Sequence, residues 1–97
     1  MTKEKLKSVF AFYRAELDGV FPQIAPAQMG ETFTTMKQYQ LGIGERVPHY
    51  KFMCDEAQKF VDEGRIEKAM RWLGFLQGVF WATGIYTLDD VKHHSMP

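Results

Sequence analysis

Residues 71–84, RWLGFLQGVFWATG, hold both tryptophans of the chain, two phenylalanines and three glycines within fourteen positions. Such a stretch is a membrane segment, a helix enclosed by protein, or part of a surface built for a partner. A membrane-crossing helix needs about 20 apolar residues. From Trp72 to Leu88 there are seventeen, interrupted by Gln77 and Thr83 and broken at Gly84. The roughly twelve helical residues span about 18 Å, too short to cross a bilayer. No membrane role is expected.

A helix that is apolar all round is buried on most faces. Gly74, Gly78 and Ala82 lie four apart and share one face, where another helix is able to approach closely. Each interior glycine costs about 1 kcal/mol of helix propensity relative to alanine, so their retention implies that something presses against them. Trp72, Phe75, Leu76, Val79, Phe80 and Trp81 run nearly around the axis. Either the other helices of this chain bury them, or one edge is left for a dimer mate or a host protein. Aromatics, methionine and arginine are the side chains enriched at interface cores. The candidates for partner binding are therefore Phe33, Met36, Tyr39, Arg71, Trp72 and Trp81, with Gly74, Gly78 and Ala82 as the helix-packing positions.

The rest of the chain predicts an all-α domain. Leu6, Val9, Phe10, Tyr13, Leu17 and Val20 follow a spacing of three and four, predicting an amphipathic helix over 3–18 with Thr2 as N-cap and Gly19 and Pro22 at its end. Prolines, glycines and scattered Thr and Gln over 22–47 read as a long loop, and loops of that length are often functional. Pro48 suits the first turn of a helix over 48–63 that stops at Gly64. A third helix covers 66–83, forming a central antiparallel hairpin with the second. Thr87-Leu-Asp-Asp90 reads as a capping box opening a short helix over 88–94.

Ninety-seven residues allow a single domain with a modest core. Twelve basic residues balance twelve acidic ones. A nucleic-acid binder carries a basic surplus, so direct DNA binding is not expected. The balance favours a partner read by shape and apolar contact. With a single cysteine and no secretory signal pattern at the N-terminus, a cytoplasmic setting is expected.

Candidate chemistry is thin, and no catalytic residue, cofactor or metal is expected. His49 and Cys54 are five apart, off-face for each other and without a third orienting group. Asp89 with His93, and Asp90 with His94, have metal-compatible spacing but sit in no zinc-type motif, and the helix dipole favours the same placement. A helix-turn-helix reading of 66–94 puts Asp89 and Asp90 beside Lys92, where acidic groups repel phosphates. Four X-Pro bonds, at Pro22, Pro26, Pro48 and Pro97, exchange slowly where the backbone is loose and make a host prolyl isomerase a conceivable partner.

The runs VPHYKFMCDEAQKFVDEG and RIEKAMRWLGFLQGVFWATGIYTLDDVKHHSMP, spanning about residues 47–97, resemble small accessory proteins of tailed bacteriophages. Within these they are most similar to the anti-RecBCD recombination-accessory proteins of lambdoid phages. The resemblance implies a phage early protein that binds the host RecBCD helicase-nuclease through its RecC subunit, protects linear phage DNA ends and favours phage recombination. It carries over no catalytic motif.

Overall fold

Thr2 opens the first helix as the capping pattern predicts. In the computed structural model, which describes residues 1–28 and 43–96, its hydroxyl accepts the Lys5 backbone N–H at 3.0 Å. The helix α1 runs Lys3–Val20, two residues beyond the expected end. Glycine lowers helix propensity without forbidding the conformation, so the helix passes Gly19 and stops only before Pro22, whose ring cannot continue it. Phe21 closes it, donating its N–H to the Leu17 carbonyl at 2.8 Å. The predicted stripe is buried from Leu6 to Leu17, whereas Val20 lies outside it, half exposed.

The second helix, α2, spans Ile43–Asp62 and starts five residues ahead of the expected boundary. Pro48 is its sixth residue, so the helix forgoes the one backbone bond that would reach Gly44. Two contacts offset that loss: Val47 beside it is fully buried, and the Pro48 carbonyl accepts the Ala27 N–H at 2.8 Å. Residues 43–47 of the expected 22–47 loop are thus helical. Residues 22–28 are tied to α2 through Ala27 rather than loose.

Three residues link α2 to α3, Ile66–Ala82. Gly64 takes φ 79°, a left-handed conformation that glycine adopts without strain, and its N–H donates to the Val61 carbonyl at 3.0 Å. Thr83 caps α3 instead of belonging to it, and Gly84, also at φ 79°, turns the chain. The final helix, α4, is Leu88–His94, opened by the predicted capping box: Thr87 and Asp90 exchange two 3.0 Å bonds between side chains and backbone N–H groups.

The architecture is all-α, with no strand among the described residues. The central helix α2 packs against both α1 and α3. Tyr50, Met53, Cys54, Ala57, Phe60 and Val61 of α2 interleave with Phe10, Tyr13 and Leu17 of α1 and with Ala69, Leu73, Leu76 and Phe80 of α3. Each large apolar side chain buried there contributes about 1.5–3 kcal/mol. α4 buries no residue completely.

A charged side chain lies inside this packing. Lys51 is 1% exposed, and its ammonium donates to the Phe21 carbonyl at 2.8 Å and the Ile24 carbonyl at 2.6 Å, while pairing with Asp18 at 3.0 Å. Those contacts satisfy all three of its donors and join the end of α1 to α2. Asp18 is held below the usual carboxylate range, chiefly by Lys51 and further by Arg14.

Candidate interaction surface

The residues of α3 that turn inward are Ala69, Leu73, Leu76 and Phe80, spaced three or four apart. Their burial decides what the opposite side presents. Met70, Arg71, Gly74, Phe75, Gly78, Trp81 and Ala82 all face outward. Phe75 is 52% exposed and Trp81 57%, values that place two large aromatic rings in solvent. Only Glu67 and Arg71 bring charge to this side, both near the start of the helix. Phe75 is not free to wander, since its ring leans on Tyr50 with centroids 6.5 Å apart.

The expectation that Gly74, Gly78 and Ala82 pack against another helix is corrected within the chain. Among the described residues, a Cβ built on Gly74 or Gly78 would meet nothing within 4 Å beyond its own stretch of helix. The reason is competition between faces. Leu73, Leu76 and Phe80 remove far more apolar surface when buried than a glycine notch does, so they take the inner side. Among the described residues the notch is therefore bare.

Trp72 also departs from the partner-binding expectation. It is half-buried, edge-on to Phe60 at 4.7 Å between centroids, with the Lys68 ammonium over both rings. Arg71 and Trp81 are exposed as a partner-binding role requires. Phe33, Met36 and Tyr39 lie outside the described residues. The positions that sequence reasoning passed over on this face are Met70 and Phe75, although their spacing with Gly74, Gly78 and Ala82 marks one stripe.

The end of the molecule where α1, α3 and α4 meet carries a second, more polar cluster. The Tyr13 hydroxyl lies 2.9 Å from His94 Nδ1 and accepts from Gln77 Nε2 at 3.2 Å; Gln77 also donates to Ser95 at 2.8 Å. Phe12, Tyr13 and Tyr86 surround the His94 ring, at 5.3, 5.3 and 4.7 Å between centroids. With Gln77 donating to Tyr13, the hydroxyl hydrogen is left to point at Nδ1, which suits a neutral His94 carrying its proton on Nε2. The Tyr86 hydroxyl is buried without a hydrogen-bond partner among the described residues.

Burial lowers the His94 pKa from the usual 6.5; Lys5 and His93 lower it further, and Asp90 opposes them. His49 is lowered by burial as well. The folded state thus binds protons less readily than the unfolded state at both sites. Stability is full above pH 6.5 and is lost as pH falls from there toward the folded-state values. Thermal unfolding should show a midpoint higher near about pH 7.5 than near about pH 5.5. His94→Gln should flatten that dependence and His49→Gln combined with it should remove most of the remainder. An unchanged slope in the double variant contradicts the assignment.

None of these groups is arranged for nucleophilic chemistry. Cys54 is completely buried, and burial pushes its thiol up to about 12, far from a reactive thiolate. Asp90 is engaged by Thr87, and His94 turns to Tyr13, so that pair does not converge. His93 Nδ1 lies 3.3 Å from the backbone carbonyl of Asp89. Among the described residues no group of three or more His, Cys, Asp or Glu side chains is placed to hold a metal ion, and no helix is long and apolar enough to cross a membrane.

The class defined by fold and surface is a small all-α chain with an uncovered aromatic face on α3. No known protein family, curated protein or solved structure matches it.

Proposed function

We propose that this chain acts by docking on another protein through the outer face of α3, without catalysis of its own. The observation that carries the reading is the exposure of Phe75 and Trp81 beside the bare Gly74–Gly78 notch. Contiguous apolar surface of this kind, rimmed by charge, marks interaction sites on soluble proteins. The formal net charge of zero favours an apolar partner surface over a phosphate backbone.

The phage resemblance over residues 47–97 supplies the partner: the host RecBCD helicase-nuclease, engaged through RecC, with protection of phage DNA ends as the outcome. That stretch contains all of α3, so the proposed docking face lies inside the region of resemblance.

Tagged protein should capture RecBCD from host lysate and alter the nuclease activity of the purified enzyme, while showing no activity alone. Trp81→Glu and Phe75→Glu, both at exposed positions, should abolish capture while leaving helical content unchanged. Failure of the unmodified protein to enrich any RecBCD subunit removes the named target. A salt-dependent mobility shift with bare DNA would favour a nucleic-acid regulator instead.

A further inference from the structure

We infer that the outer face of α3 also pairs with a second copy of this chain, as an antiparallel, two-fold symmetric helix contact centred near residue 76. The inference rests on reading α3 as the docking face and is independent of which host protein it serves.

A two-fold interface must be self-complementary: the patch that one copy offers has to fit itself when reversed. On an ideal helix, turning α3 about an axis at the height of residue 76 lays Trp81 of one copy over Gly74 and Met70 of the other. The largest exposed side chain meets the deepest notch, next to a thioether that favours aromatic contact. The reversal also carries Arg71 across Gly78 and Ala82 toward the C-terminal turn of the facing α3. That turn has no basic residue, so its partial negative charge lacks a cation. Phe75, leaning on Tyr50 at the edge of the face, meets its own counterpart near the axis. The large residues are thus opposed by small ones, and the arginine is opposed by a helix C-terminus.

The notch lets the helix axes approach at the short end of the usual 8–10 Å range. One helix face falls short of the roughly 1,200–2,000 Å² of a stable interface, so the pair is transient and a host protein is able to displace it.

Sedimentation equilibrium across a concentration series should show mass rising from 11.3 kDa toward twice that value. Gly74→Glu, whose Cβ would meet no described atom beyond its own stretch of helix within 4 Å, should weaken association at least ten-fold without loss of helical content. Phe75→Cys should be bridged between copies by a short bis-maleimide, native Cys54 being buried and inert. Glu67→Cys, whose copies lie about 27 Å apart along the paired axes in this register, should not be bridged. A monomer at every concentration, or equal bridging at 67 and 75, overturns the inference. Capture of RecBCD that depends on Trp81, seen together with a monomer, would leave the proposed function standing without it.

Discussion

Tyr13→Ala lowers the stability of the fold by about 3–5 kcal/mol, the range for removing a fully buried aromatic side chain. Tyr13 has no exposed surface and joins three elements at once. Its ring packs edge-on to Phe80 at 4.8 Å and against Tyr86 at 5.7 Å, while its hydroxyl links Gln77 to His94. A domain of this size has about 5–15 kcal/mol of total stability, so the loss takes about a fifth of it or more. At about 4–8 °C per kcal/mol, the melting midpoint falls by more than about 12 °C. Tyr13→Phe separates the two contributions. It keeps the ring and leaves Gln77 and His94 without their shared partner, at about 1–2 kcal/mol. Chemical denaturation of both variants checks the order; equal losses would mean that the ring packing contributes nothing beyond the hydroxyl.

Lys51→Met destabilises by about 2–3 kcal/mol, less than a wholly buried ion pair would suggest. Methionine escapes the desolvation of the ammonium, which works in the variant's favour. Against it stand two carbonyls, of Phe21 and Ile24, that lose charge-assisted donors at 2.8 and 2.6 Å. Hydrogen bonds to a charged group are worth about 1.5–3 kcal/mol each, so the lost bonds outweigh the relief. Asp18 keeps Arg14 and stays partly solvated, which limits the damage. The loss should be local as well as global. Hydrogen exchange at the Ala27 amide, bonded to Pro48, should accelerate in the variant more than exchange at the Leu76 amide. Equal acceleration at both amides would mean that Lys51 does not hold the 21–27 segment.

These two residues mark how far the fold was legible from residues alone. Tyr13 stands in an unbroken three-and-four spacing, and the helix starts at Thr2 and Thr87 and the stops at Gly64 and Gly84 arise from local chemistry that tertiary contacts did not override. Lys51 carried a readable signal that charge obscured: with Val47, Tyr50 and Cys54 it lies in the centre of a buried stripe. The early start of α2 was hidden by Pro48, because a proline rule weighs one missing bond and cannot weigh the burial of Val47. The face of α3 was misjudged for a similar reason. Glycines at a spacing of four show that a helix side is smooth, but not whether it turns inward. That outcome depended on Leu73, Leu76 and Phe80 taking the inner side first. The candidate surface was therefore half legible: Arg71 and Trp81 stand outward on it, Trp72 is folded against Phe60, and Phe75 was readable by spacing as part of the stripe, its outward side set by the packing of Leu73, Leu76 and Phe80.

With no fully buried residue, α4 is the most lightly anchored of the four described helices. The His94 contact with Tyr13 and the Gln77 bond to the Ser95 hydroxyl tie it to α1 and α3, while the Thr87 cap closes only its own first turn. Peeling it away would take the His94 ring off Tyr13, Tyr86 and the already half-exposed Phe12. Detachment of those seven residues would thus enlarge an aromatic patch that Phe12 already opens to solvent.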